Sequence, residues 1–181
     1  MKGAEAVVRA EKIIGIKAVR KSRLPKSYRV GALDRKLRTE RTRVEARLLN
    51  RSKLAGVKCP TVLAVEEFDL VMSFIDGKRP EMNGREAQES GGILAKLHEA
   101  HIIHGDFTPA NLILSGGEIF VIDFGLGFVS NDIEDKAVDV FTMLQTIKEK
   151  DSFIQGYKTY AKSDAVLERV KEVEKRVRYA F

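Results

Sequence analysis

The sequence predicts an α+β fold, and three observations carry the prediction. β-Branched stretches come first, segments of helical period dominate afterwards, and the composition is that of an ordinary globular chain, with 44% hydrophobic and 32% charged residues. At 181 residues the chain reads as a single domain over residues 1–181, built as one core or as two small lobes sharing a cleft.

Residues 4–8 and 13–21 read as two or three adjacent strands. Residues 22–31 are basic, contain Pro25 and Gly31, and read as a loop. From Leu33 the period lengthens: Leu33, Leu37, Val44 and Leu48 recur at helical spacing until Gly56 and Pro60 end the run. Residues 61–65 and 70–75, separated by Glu66, Glu67 and Asp69, read as an antiparallel pair followed by a turn from Asp76-Gly77 through Pro80. Residues 85–101 predict a second helix with Ala87, Leu94 and Leu97 on one side, weakened by Gly91 and Gly92 at about 1 kcal/mol each. Residues 112–114 and 119–122 flank Ser115-Gly116-Gly117-Glu118, a hairpin signal. Residues 134–148 predict a third long helix, apolar at Ala137, Val140, Phe141, Leu144 and Ile147, and Val166, Val170, Val173 and Val177 mark a last amphipathic one.

Several function classes fall away. Cys59 is the only cysteine, which excludes a disulfide scaffold, fits a reducing compartment and, with three histidines, excludes a Cys-rich zinc site. No apolar run approaches the roughly 18 residues of a membrane span, and the start Met-Lys-Gly-Ala-Glu-Ala lacks the apolar region of a signal peptide. The expectation is a cytoplasmic protein without membrane contact. Charge is uneven: residues 1–58 carry 18 Lys and Arg against 5 Asp and Glu, whereas residues 59–161 carry 8 against 17. Such an arrangement suits a cleft that attracts phosphates, of nucleotide or nucleic acid; the plainer reading is a solvated basic helix.

The strongest signal is His104-Gly105-Asp106-Phe107-Thr108-Pro109-Ala110-Asn111, followed by Ile122-Asp123-Phe124-Gly125. It matches the protein-kinase pattern H-R-D-x-x-x-x-N and D-F-G, with Asn five residues after Asp106 and a hairpin filling the 17 residues to Asp123. Phosphoryl transfer needs a carboxylate at the accepting hydroxyl, here Asp106, and hard oxygen ligands for Mg²⁺, here Asn111 and Asp123. Each half alone is weak; both in order and in register are specific. A kinase also needs a strand Lys and a helix Glu; the lysine candidates are Lys17 and Lys21, the glutamates Glu40 and Glu45. Glu45 borders the inward face, where it would need a cation; the alternative is a surface pair with Arg41. There is no G-x-G-x-x-G loop and no Ala-Pro-Glu after Asp123, and only 56 residues follow Gly125, too few for the usual peptide-docking helices. Gly105 in place of Arg leaves nothing there to read an activation-loop phosphate, so the expected geometry is constitutive. The fold expectation sharpens to a minimal bilobal protein-kinase-like fold, with a small N-lobe sheet and one helix over about residues 1–75 and a reduced helical C-lobe over about 76–181.

The chain resembles the small atypical Ser/Thr kinase subunit of the KEOPS/EKC complex, the PRPK-like kinases. The carriers are Gly3-Ala4-Glu5-Ala6 in place of a glycine loop, Lys21 through Lys26-Ser27-Tyr28-Arg29, Leu33-Asp34, Arg41-Thr42, Glu45 through Leu49, the His104–Asn111 run, Asp123-Phe124-Gly125-Leu126-Gly127, and Glu134 through Asp139. The resemblance selects Lys21 over Lys17 and Glu45 as its partner, with Asp139 bracing the catalytic loop. It implies Mg-ATP between the lobes, beside Gly3 and Ala6 and with adenine near residues 72–75, Met72 and Phe74 among them. It further implies Ser/Thr kinase and ATPase activity in an assembly that makes threonylcarbamoyladenosine on tRNA. The implied partners are a transferase subunit, a small regulatory subunit docked on the N-lobe, and tRNA. Family members often finish in a Gly- and Arg-rich tail, whereas the sequence here reads Glu174-Lys175-Arg176-Val177-Arg178-Tyr179-Ala180-Phe181; Lys175, Arg176 and Arg178 stand as RNA-contact candidates, or as cations complementing a helix C-terminus. The alternatives are a free-standing RIO-like kinase and a pseudokinase scaffold binding partner protein and RNA. His98, His101 and His104 are three apart; His98 and His101 read as helix-end residues favoured by the dipole rather than zinc ligands. Cys59 reads as a small packed residue.

Overall fold

The computed structural model describes residues 6–179, with side chains from 6 to 177. β1 (Ala6–Ile13) and β2 (Ile16–Arg23) form a hairpin whose turn places Ile14 and Gly15 at positive φ. β3 (Val62–Val65) and β4 (Asp69–Ser73) complete an antiparallel sheet of order β1-β2-β4-β3. α1 (Gly31–Leu54) packs on β3 and β4 and stops before Gly56, whose φ of +75° suits a residue without Cβ.

Two expectations about this layer are corrected. β2 continues to Arg23, so Ser22 and Arg23 are strand rather than loop; its inward residues there are Lys21 and Arg23, and charged inward residues hide a period-2 pattern. The inward face of α1 is also rotated from the apolar stripe. Leu33 is exposed, and the buried residues are Asp34, Thr42, Glu45, Leu48, Leu49 and Ser52. The inward face buries polar groups that find partners: Asp34 holds Arg38 and the Lys26 N–H, Thr42 donates to the Arg38 carbonyl, and Glu45 meets Lys21 and Arg23 on β2, so hydrophobic spacing misplaces the face.

The second layer is helical: α2 (Gly84–Glu99), α3 (Ile133–Leu144), α4 (Lys150–Tyr157) and α5 (Ser163–Tyr179). A capping box between Asn83 and Glu86 starts α2. Gly91, read from sequence as a weakness, is where α2 and α4 touch. A Cβ there would lie 2.1 Å from the Phe153 carbonyl oxygen, and one on Gly156 would lie 1.8 Å from that of Gln88. The predicted helix over 134–148 ends at Leu144; Ile147 still packs into the core but from a turn, and α4 follows as a separate element that apolar spacing did not reveal. α3 packs on α5. Phe107, Phe124, Leu94, Leu97, Val140 and Tyr157 are fully buried at the centre.

Two short pairings place the loops between the layers. β6 (Leu112–Ser115) and β7 (Glu118–Val121) form the expected hairpin, with Gly116 and Gly117 at positive φ. β5 (Ile102–Ile103) pairs with β8 (Phe128–Val129), too short for any sequence period to reveal. That pair ties the segment after Asp123 to the segment before Asp106.

Candidate active site

The site is a cleft of about 480 Å³ between the sheet and the β6–β7 hairpin. Val8, Val19, Met72, Phe74, Ile113 and Ile122 supply apolar wall, and Lys21, Glu45, Asn111 and Asp123 supply polar groups. Lys21 and Arg23 are two apart on β2 and so share a face. α1 delivers Glu45 to them, its side chain only 2% exposed. Lys21 Nζ donates to Glu45 Oε1 at 2.7 Å and to Asp123 Oδ1 at 2.6 Å, and Arg23 Nη2 donates to Glu45 Oε2 at 2.6 Å. The surface pairing of Glu45 with Arg41 is thereby overturned: a carboxylate this deep requires cations, and β2 provides two. Lys17 is exposed and pairs with Asp76 instead. Arg23 was not singled out from the sequence; the signal that would have found it is a second cation two residues after Lys21 on the same strand.

Asp123 is half-exposed and sits at φ +61°, a conformation that Asp tolerates better than most residues. Partial burial works to raise its carboxyl, but the Lys21 charge and hydrogen bond, with the Gly125 N–H, outweigh it and hold the group below the usual carboxylate range. Across the cleft floor, Asn111 Nδ2 donates to Asp106 Oδ2 at 2.8 Å and to the Asp106 carbonyl at 2.9 Å. Asn111 itself is set by a 3-10 turn over Pro109–Asn111, whose proline occupies a first-turn position that needs no N–H.

Beneath this floor lies a buried polar scaffold. Asp139 accepts from the backbone N–H of His104 at 2.6 Å and of Gly105 at 2.8 Å. His104 Nε2 lies 3.1 Å from the Ile122 carbonyl, and its Nδ1 accepts from the Asp106 N–H at 3.3 Å; one neutral tautomer satisfies both. His98 bridges the Tyr157 hydroxyl (2.7 Å from Nδ1) and Asp139 (3.4 Å from Nε2). Burial pushes both histidines down, keeping them neutral, and pushes the Tyr157 phenol up. His98 does lie in the last turn of α2, as its helix-end reading has it, but it is buried under α4 and neutral, so it brings no charge to the helix dipole. Gly105 is at φ +80°, and a Cβ there would sit 2.5 Å from the Leu126 carbonyl oxygen, so the arginine of the kinase pattern does not fit this backbone.

The donors fit a hard divalent cation. Asn111 Nδ2 is committed to Asp106, which leaves Oδ1 to join the Asp123 carboxylate as oxygen ligands. Among the described residues no group of three or more His, Cys, Asp and Glu could hold a metal, so phosphate oxygens and water would complete the shell, as Mg²⁺ favours. The zinc alternative has no geometry, since His98 and His104 are occupied and His101 is exposed.

The other named candidates fall in different places. Ala6 opens β1 opposite Arg23, and Val8 is the β1 residue on the cleft wall. Gly3 lies outside the described residues, as does the side chain of Arg178. Arg176 pairs with Glu134 on α3, and Lys175 is exposed beside a groove along α5. Cys59 is buried with its thiol pushed up to about 11 by burial. Much of the basic excess is neutralised locally: Arg20 meets Glu11, Glu66 and Asp69, Arg35 meets Glu67, and Arg38 meets Asp34. No helix among the described residues is long and apolar enough to cross a membrane.

With this geometry in view, similarity to known proteins is informative. The RIO domain matches residues 17–143. A probable serine/threonine-protein kinase BUD32 homolog of Archaeoglobus fulgidus is 44% identical over 169 residues, covering 88% of this chain and 87% of its own. A probable bifunctional tRNA threonylcarbamoyladenosine biosynthesis protein of Methanosarcina barkeri is 39% identical over 98% of this chain, which spans only 35% of that longer protein. The Rio2 kinase of Chaetomium thermophilum, solved as an ADP/Mg²⁺-phosphoaspartate complex, superposes with a TM-score of 0.66 at 18% identity, covering 99% of this chain and 69% of that one, and so shares the fold. The protein-kinase-like α+β fold and the sequence matches agree, and the chain belongs to the RIO-domain family, in its Bud32/PRPK-like branch.

Proposed function

We propose that the chain is a Mg-dependent atypical Ser/Thr kinase and ATPase that works as a KEOPS-type subunit supporting threonylcarbamoyladenosine modification of tRNA. The observation that carries this reading is the meeting of Lys21, Glu45 and Asp123 from three distant segments on the wall of one cleft, with Asn111 lining it too and holding the Asp106 carboxylate. Lys21, oriented by Glu45, binds the phosphates; Asn111 Oδ1 and the Asp123 carboxylate hold Mg²⁺; Met72 and Phe74 border the adenine. The Asp106 carboxylate orients and deprotonates the attacking hydroxyl, of a serine, a threonine or water, and Asn111 Nδ2 keeps that carboxylate in place. The metal supplies charge neutralisation on the phosphates. The low-lying Asp123 carboxyl supports the reading, because it is anionic at neutral pH.

The role in tRNA modification is supported by the names of the relatives: the A. fulgidus protein is called a kinase, and the longer archaeal proteins are called threonylcarbamoyladenosine biosynthesis proteins. The resemblance to KEOPS kinase subunits adds the finer reading, in which the chain pairs with a transferase subunit, takes a small regulatory subunit on its sheet, and reaches tRNA through the complex, with Lys175, Arg176 and Arg178 as candidate contacts. It acts in the cytoplasm as one domain, its lobes dividing near residue 75. The experiment is phosphate release from Mg-ATP by the chain and by Asp123→Ala and Asp106→Ala, with and without transferase subunit and tRNA. Stimulated release by the native chain and a loss of about 10²–10⁴-fold in the variants is expected. Release indifferent to partner and RNA would favour a free-standing kinase, and no release in any mixture would favour a scaffold.

A further inference from the structure

Arg23 reaches the cleft cluster from β2 with a side chain only 5% exposed. Its Nη2 holds Glu45 Oε2, the oxygen that Lys21 does not use. Lys21 is divided between Glu45 and Asp123, so two cations face two carboxylates and only one of the cations is shared. The turn at Gly125 closes on the same point. A Cβ there would meet Asp123 Oδ1 at 2.9 Å, Lys21 Nζ at 3.1 Å and Arg23 Nη2 at 3.5 Å, so the bare backbone at Gly125 makes room for both cations.

Under the nucleotide reading, on which this inference rests, Asp123 faces a metal and Lys21 faces phosphates. A buried Glu45 with Lys21 as its sole cation would then compete with the phosphates for that lysine, and an undercompensated buried carboxylate is costly. We propose that Arg23 is a positioning residue for the nucleotide phosphates: it keeps Glu45 neutralised and fixed through Oε2, so that Lys21 can pass its second hydrogen bond from Asp123 to a phosphate oxygen. The end of β2 that carries Arg23 is itself tied to α1. Arg38 Nη1 donates to the Arg23 carbonyl at 3.3 Å, while Arg38 Nε and the Lys26 N–H hold Asp34 at 2.6 and 3.2 Å. The junction with β2 thus helps to place α1.

The test is titration calorimetry of the full chain with Mg-ATP and, separately, with adenosine, which lacks the phosphates. Arg23→Gln is expected to weaken Mg-ATP about tenfold and leave adenosine within about twofold, whereas Arg23→Lys, which keeps the charge, loses less than about threefold for Mg-ATP. An unchanged Mg-ATP affinity in Arg23→Gln overturns the assignment, and so does a parallel loss for both ligands, which would mark a general collapse of the cleft. The double variant Arg23→Gln with Glu45→Gln removes both buried charges together and keeps the test open if the single variant fails to fold. Its Mg-ATP loss should equal that of Glu45→Gln alone, and a further loss on adding the Arg23 change overturns the coupling. A native chain that binds neither ligand refutes the nucleotide reading itself, and the role of Arg23 with it.

Discussion

Lys21, Arg23, Glu45 and Asp123 meet as full charges on a cleft wall, whereas the loop carrying Asp106 is held from below by one carboxylate, Asp139, surrounded by backbone N–H groups and neutral histidine. The first cluster can exchange partners, because Lys21 has two carboxylates to choose between and Asp123 is half-exposed. The second cannot, because His98, His104 and Asp139 are each about 1% exposed or less and their donors and acceptors are already matched. Exchangeable charge lies where ligand charge would enter; fixed neutral hydrogen bonding lies where a backbone must not move.

Removing one carboxylate from each region tests that contrast most severely. Asp139→Ala strands two backbone N–H groups and the His98 ring, and thermal or urea unfolding should show a loss of roughly 3–5 kcal/mol. Asp123→Ala removes a half-exposed partner of Lys21, which keeps Glu45, and should shift stability by less than about 1 kcal/mol while cutting turnover about 10²–10⁴-fold. Equal destabilisation by the two would dissolve the distinction. Next in size is Gly156→Ala. Its Cβ would meet the Gln88 carbonyl oxygen at 1.8 Å, so α2 and α4 must part, at about 1–3 kcal/mol in urea unfolding. Since α4 covers His98, the same variant should slow turnover more than it weakens Mg-ATP binding.

The most gradual effect is a pH slope. His98 and His104 have folded pKa values below the ordinary 6.5, chiefly because they are buried. The unfolded chain therefore binds more protons than the folded one between those values and 6.5, so stability is whole above about pH 6.5 and declines as pH falls below it. The slope approaches roughly 1.4 kcal/mol per pH unit for each histidine. Asp123, with a folded pKa below 3.8, adds a separate loss only as pH falls through that acid range. Denaturation midpoints from pH 7.5 to 5 should decline in the native chain and more gently in a His98→Gln variant; a flat profile would mean that the histidines are not held neutral.

Legibility followed the range of the interactions. The order of strands and helices, the hairpin around Gly116-Gly117 and the registers of Asp106, Asn111 and Asp123 were readable because each depends on neighbours within a few residues or on fixed spacing. The inward face of α1 was not, since it buries Asp34 and Thr42 against Arg38 of the same helix and Glu45 against the cations of β2. Nor was α4, whose eight residues show their purpose only where Gly156 meets α2. The same holds for β5 and β8, two residues each.

By itself, the sequence determined the fold class and the family motif, since residue type and local spacing carry that information. Tertiary structure alone decided that Glu45 has two cations rather than one, that Gly91 is a close helix contact with α4 rather than only a weak point of α2, and that His98 lies buried on Asp139. Each of these depends on how deeply a group is buried and on what a distant segment places opposite it. Burial changes the cost of a charge or a missing side chain, and residue spacing along the chain does not record burial.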